Sequence, residues 1–173
     1  MLKRVIIGGS SEIPGWISLN ADPSTNPDIL SDICELKNIE DNSVSVFYLS
    51  HVLEHITLSN VEKTLKKLFV AMTNNGSLYI SVPDLEVLGE HLRNKDLGIE
   101  QKIHVLRMIY GGQISNFDYH YFGYTFEILN FFLKESGFVN IEKVKSFNLH
   151  KDTSEFTPYF GIPISLNIIC HKS

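Results

Sequence analysis

Val44-Ser45-Val46-Phe47-Tyr48-Leu49 reads as a strand buried on both faces, since its apolar residues run together with no charged residue between them. A second such run, Ser77-Leu78-Tyr79-Ile80-Ser81-Val82, is stopped by Pro83. Between the two, Val61, Leu65, Leu68, Phe69 and Met72 recur at i, i+4, i+7, i+8 and i+11, which is one apolar stripe of a helix. Ser59 and Glu62 have the spacing of a capping box, and Gly76 is placed to close the helix. Buried strand, amphipathic helix, buried strand is the order of a largely parallel sheet covered by helices.

The flanks continue the alternation. Upstream, Val5-Ile6-Ile7 is the first strand candidate and Trp16-Ile17-Ser18-Leu19-Asn20 the second. Downstream, Asp84 can cap a short helix carrying Leu85, Leu88 and Leu92. After a polar stretch, Ile99, Ile103, Leu106 and Tyr110 mark another helix, which ends at Gly111-Gly112. Thr125 can cap a last helix with Ile128, Leu129, Phe132 and Leu133 on its buried face and Gly137 just beyond. The runs at 139–147 and 165–171 are strand candidates with no helical pattern between them, so they are expected to pair antiparallel. No repeat, low-complexity tract or linker interrupts the chain. The expectation is a single α/β domain over 1–173: a mostly parallel, twisted sheet with helices on both faces and an antiparallel strand near the C-terminus.

Composition narrows the function classes. The 173 residues carry 15 Lys plus Arg against 20 Asp plus Glu, a net charge of −5, with 43% apolar residues and a mean hydropathy of +0.01. That balance lacks the basic excess needed to coat nucleic acid or cling to an anionic membrane, so neither partner is expected. Cys34 and Cys170, each in an apolar stretch, point to a reducing compartment rather than a disulfide framework, and no metal site can rest on them. Residues 1–9, beginning Met1-Leu2-Lys3-Arg4, turn apolar too briefly for a signal peptide, and no apolar run reaches membrane-spanning length. The expected location is the cytoplasm.

In an open α/β sheet, ligands bind beyond the carboxyl ends of the strands, near the point where strand order reverses. Gly8-Gly9-Ser10-Ser11 follows the first strand, where missing side chains let a ligand approach the backbone. Asn20 and Asp22, two positions apart at the end of the second strand, share one side of an extended chain and can hold a ribose diol. Asp32 beside Ile33 suits an adenine, the acid accepting from an exocyclic amine while the apolar residue packs on the ring. Each has a plainer reading: a turn at Gly8-Gly9, turn initiation at Asp22 before Pro23, and a capped turn at Asp32.

Taken in order, these segments resemble the class I S-adenosylmethionine-dependent methyltransferases, in particular small members of that family. The resemblance runs through Ile7-Gly8-Gly9, Pro14-Gly15-Trp16-Ile17, Asn20 to Asp22, Ser31-Asp32-Ile33, Asp41-Asn42-Ser43-Val44, Ser50-His51-Val52-Leu53-Glu54-His55 and Gly76-Ser77-Leu78-Tyr79-Ile80-Ser81-Val82-Pro83-Asp84. Thr125-Phe126-Glu127 through Gly137-Phe138-Val139-Asn140-Ile141 is similar to the last helix and strand of such enzymes. The resemblance implies a Rossmann-like fold and S-adenosyl-L-methionine as cofactor. It places Gly8 and Gly9 against the methionine part, Asn20 or Asp22 at the ribose, Asp32 and Ile33 at the adenine, and Ser50 and His51 beside the sulfonium and the incoming acceptor.

The sequence departs from the family in its loops. Only Ser10 to Gly15 separate Gly9 from Trp16, too few for the helix that usually follows the glycine loop, so the convergent N–H groups of that helix are lost. The acid that commonly ends the second strand aligns with Asn20, leaving Asp22 as a displaced substitute. The chain also begins at the first strand, without the N-terminal helices that often cover the substrate. A partner subunit, such as a second copy in a homodimer, or an open site would replace them.

On a helix, His51, Glu54 and His55 would fall at i, i+3 and i+4 and share one face. The same spacing is the His-x-x-Glu-His of inverzincin proteases, but Thr57-Leu58-Ser59 cuts any such helix to about one turn, which disfavours that reading. The run is similar to the Glu-x-x-Glu-His of small-RNA 2′-O-methyltransferases and ubiquinone-type O-methyltransferases, whose metal ligands also include a later His, and His120 stands at a comparable place. A divalent metal is the lesser reading beside hydrogen bonding within the loop, and imidazole ligands would favour a borderline ion over Mg²⁺.

For catalysis, His51 is the first candidate base and His120 the second, with Glu54 and His55 beside them. His91, His104, His150 and His171 read as solvated or structural, and Lys63, Lys66 and Lys67 as solubilising charge. The aromatic set Phe117, Tyr119, Tyr121, Phe122, Tyr124 and Phe126 suits either a substrate pocket or core packing under a lid. The leading expectation is methyl transfer to a small polar molecule. The alternative is a methyltransferase-like binding or accessory subunit without catalysis.

Overall fold

The computed structural model describes residues 3–9, 13–149 and 151–173. Met1 and Leu2, Ser10 and Ser11 of the glycine loop with Glu12 after them, and His150 lie outside the described residues. In chain order the strands are β1 (Lys3–Ile7), β2 (Ile17–Asn20), β3 (Ile29–Leu30), β4 (Val44–Ser50), β5 (Met72–Pro83), β6 (Val139–Val144) and β7 (Ser165–His171). The helices are α1 (Leu58–Ala71), α2 (Leu85–Arg93), α3 (Ile99–Tyr110) and α4 (Phe126–Glu135).

The described strands form one sheet in the order β3-β2-β1-β4-β5-β7-β6. Strands β1 to β5 run parallel, and β7 lies antiparallel between β5 and β6. The chain leaves β1 toward β2 and β3 on one side and returns as β4 on the other, so strand order reverses between β1 and β4. This is the Rossmann-like, mostly parallel sheet with a late antiparallel strand that the pattern predicts.

Alternate residues of each strand face opposite sides. Val5, Ile7, Phe47, Leu49, Leu78, Ile80, Leu166 and Ile168 join Val61, Leu65 and Leu68 of α1 and Leu129 and Leu133 of α4 in the main core. The other face holds a second cluster. There Ile6, Tyr48, Tyr79 and Ile169 cluster with Ile13, Trp16 and Phe147, and none of these covering residues lies in a helix.

Several boundaries move. Helix α1 begins at Leu58 with Thr57 as its N-cap, so Ser59 and Glu62 do not form a capping box; Glu62 pairs with Lys66 instead, at 2.6 Å. The helix stops at Ala71, and Gly76 lies inside β5 rather than at the helix end. A Cβ on Gly76 would come within 2.8 Å of the Thr73 carbonyl oxygen, so close backbone approach accounts for this glycine. Strand β6 ends at Val144, three residues before Phe147, which turns in to pack on Tyr48. The two-residue β3 carries no apolar pattern long enough to mark it in the sequence.

Candidate functional site

The carboxyl ends of β1 and β4 meet without side-chain padding. Gly8 has φ +79°, and a Cβ there would stand 2.5 Å from Val52 Cγ2, so both its conformation and its packing exclude a side chain. Its N–H donates to the Leu19 carbonyl at 2.9 Å, which draws the end of β2 alongside. A cavity of about 530 Å³ opens beyond these strand ends. That is enough room for a nucleotide-sized ligand.

Of the residues expected at the ligand, Gly8, Asn20, Asp22, Asp32, Ile33, His51 and His55 line the cavity. Gly9, Ser50, Glu54 and His120 do not. The Asn20 amide is occupied by its own loop: Nδ2 lies 3.4 Å from the Gly9 carbonyl, and Oδ1 accepts the Asp22 N–H at 3.0 Å. Asp22 Oδ1 accepts the Ser24 N–H at 2.8 Å and caps a 3₁₀ turn over Pro23–Thr25. The bonds from Ser24 hold the Asp22 carboxyl below the usual range. Asp32 Oδ1 accepts from Cys34 N–H at 2.7 Å, while Ile33 is anchored in the main core.

The segment after β4 forms a single 3₁₀ turn over Leu53–His55, not the longer helix on which His51, Glu54 and His55 would share a face. His51 stands outside that turn with φ 54°. This left-handed conformation turns its ring back over Glu54, with Nδ1 3.2 Å from Glu54 Oε1 and Nε2 2.9 Å from Ser165 Oγ. Glu54 is completely buried, and neither of its carboxylate oxygens has a hydrogen-bond partner, so the His51 contact is a close approach rather than an aligned bond. His55 Nδ1 lies 3.0 Å from the Tyr119 carbonyl, which can only accept, so Nδ1 is the donor in that bond.

Glu54, His55 and His120 bring one ligand atom each within 4.8 Å of one another. This cluster is the candidate metal centre among the described residues, and His120 Nδ1 is buried without a partner. The mixed carboxylate and imidazole donors suit a borderline divalent ion. Burial lowers the His120 pKa, with Glu54 acting against that shift, and this favours the neutral ring a metal would need.

The aromatic set divides between the two expectations. Phe117, Tyr119 and Tyr121 line the cavity, whereas Tyr124 is fully buried with its hydroxyl donating to the Leu53 carbonyl at 3.3 Å, and Phe122 and Phe126 pack on the core. Asn60 and Asn116 also line the cavity and were not foreseen. Neither sits in a motif, since Asn60 lies on the polar side of α1 and Asn116 in a loop. Ser165 was read only as the start of a strand, because 114 residues separate it from His51.

No family model and no curated protein matches this sequence. Solved structures match in fold. A SAM dependent methyltransferase from Archaeoglobus fulgidus aligns with a TM-score of 0.63 at 16% identity, over 99% of this chain and 86% of that one. A SAM-dependent methyltransferase from Thermotoga maritima, described as a possible histamine N-methyltransferase, gives 0.63 at 16% identity, over 99% and 82%. The chain has a class I methyltransferase-like fold. Human N-acetylserotonin methyltransferase in complex with SAM aligns at 0.57 and 13% identity, over 98% of this chain but 47% of that one. Within this methyltransferase-like sheet the cavity occupies the point where strand order reverses, between β1 and β4.

Proposed function

We propose that the chain binds S-adenosyl-L-methionine in this cavity and acts as a methyltransferase on a small polar molecule. The observation that carries the reading is the gathering of Gly8, Asn20, Asp22, Asp32, Ile33 and His55 around one 530 Å³ space. Their chemistry suits the cofactor. Asp32 offers a carboxylate to an exocyclic amine beside the apolar Ile33, and Asp22 keeps acceptor capacity for a ribose hydroxyl beyond the bonds it accepts from Ser24. Gly8 leaves the backbone bare where the cofactor's amino-acid end would lie. When bound, the sulfonium supplies an electrophilic methyl group, which asks the protein for alignment and, for a protonated acceptor, a base.

His55 is the base best supported by the geometry, since it lines the cavity and its Nδ1 is held by the Tyr119 carbonyl, which leaves Nε2 outside that bond. Both nitrogens of His51 are engaged by Ser165 and Glu54, so that ring serves to order the end of β4. Phe117, Tyr119 and Tyr121 would border the acceptor. A second reading, a binding subunit without catalysis, draws on Asn20 being bonded within its own loop.

Calorimetry with S-adenosylhomocysteine tests the proposal. Binding is expected, weakened about tenfold or more by Asp32→Ala through loss of a charge-assisted hydrogen bond. Absence of binding at millimolar ligand would overturn it. Binding with no methyl transfer across a panel of hydroxyl, amine and carboxylate acceptors would favour the second reading.

A further inference from the structure

Helix α3 is apolar on two sides, and only one of them is packed. Val105 is fully buried against Leu88 of α2 and Ile164, with Met108 and Ile109 beside it. On the other side Ile99, Ile103, Leu106 and Tyr110 are 73%, 51%, 40% and 57% exposed. The periodicity that marks this helix in the sequence is therefore not its buried face. Single exposed apolar residues are ordinary, but a continuous stripe marks an interaction surface.

The stripe has the grammar of a helix–helix seam. Its spacings of four, three and four residues are those of a heptad core, and Glu100 and Arg107 flank it on the same side, both exposed. We propose that α3 forms the centre of a homodimer by packing antiparallel against α3 of a second copy. With the two-fold axis between Ile103 and Leu106, Ile103 of each copy faces the partner's Leu106, and Ile99 faces the partner's Tyr110. Glu100 then lies beside the partner's Arg107, and symmetry makes that pair twice.

Area and charge both select this occupant. The four stripe residues present on the order of 400 Å² of apolar surface, the core of a standard patch of roughly 800 Å² per partner. Glu100 and Arg107, of opposite sign on one side of the stripe, complement each other across a two-fold axis, which a second copy supplies and a uniformly anionic lipid surface does not. The interface also adjoins the cavity. The Tyr110 carbonyl accepts the His120 N–H at 3.2 Å, and the loop between them carries Asn116, Phe117 and Tyr119 to the cavity rim. Pairing of α3 would clamp the base of that loop.

Sedimentation equilibrium of the whole chain is the test. A dimer is expected, converted to monomer by Leu106→Glu with unchanged far-UV circular dichroism. Glu100→Arg is expected to weaken the dimer about tenfold, and Glu100→Arg with Arg107→Glu to restore it. A monomer at all concentrations, or a dimer untouched by Leu106→Glu, would overturn the proposal. So would a monomer that co-sediments with phosphatidylglycerol vesicles through the stripe. Because S-adenosylhomocysteine binding is read separately, these outcomes leave the reading of the cavity standing.

Discussion

His51 and Glu54 form the most consequential pair of single residues. The Glu54 side chain is fully buried with the His51 ring 3.2 Å from it, and His55 and His120 stand within 4.8 Å. Removing the His51 ring takes away a close polar contact of the buried Glu54 side chain, and a buried polar group left without a partner costs stability. His51→Ala is therefore expected to destabilise the fold by about 1–3 kcal/mol in urea titrations, and His51→Ala with Glu54→Gln by less than the sum of the two single losses. Additive losses would show that the two do not interact. This cluster was visible in the sequence because its members are near neighbours in the chain. Its geometry was not, since the left-handed φ of His51 and the Ser165 contact come from the way β4 and β7 end.

Among the elements, helices were legible where a local side chain ends them. Thr125 accepts the Ile128 N–H at 3.4 Å and Asp84 accepts the Glu86 N–H at 3.1 Å, both at the expected N-caps. Helix α1 was misplaced at both ends because its boundaries are set by tertiary packing. Its N-cap Thr57 makes no capping bond, and the chain passes directly into β5 at Met72, where β4 supplies a partner strand. The contrast is measurable. Thr125→Ala should cost about 0.5–1 kcal/mol by thermal or chemical denaturation, whereas Thr57→Ala should change stability by only a few tenths. Equal losses would mean that the bond at Thr125 adds nothing. Helix α3 teaches a different lesson, since periodicity reports an apolar face without saying whether the same chain covers it.

For the whole molecule, the largely parallel sheet was legible as a βα alternation, while the order of its strands and the covering of the second sheet face were not. Tyr48 is completely buried on that face under Trp16 and Phe147, aromatic residues far apart in the chain that no periodicity links. Its hydroxyl donates to Asp152 Oδ2 at 2.6 Å, which ties the segment between β6 and β7 down onto the sheet. Burial alone would raise the Asp152 pKa, but hydrogen bonds from Ser154 and Tyr48 outweigh it and hold the carboxyl below its ordinary value. A folded pKa below the unfolded one, about 3.9, means that the unfolded chain takes up the proton first as pH falls. The stability from Asp152 is thus present above about pH 4 and is lost as pH drops through the folded pKa. Asp152→Asn should lower the melting temperature at pH 7, and its deficit relative to the native chain should shrink steadily between about pH 5 and pH 3. A deficit that stays constant across that range in scanning calorimetry would show that the ionised carboxylate is not what fastens this segment to the sheet.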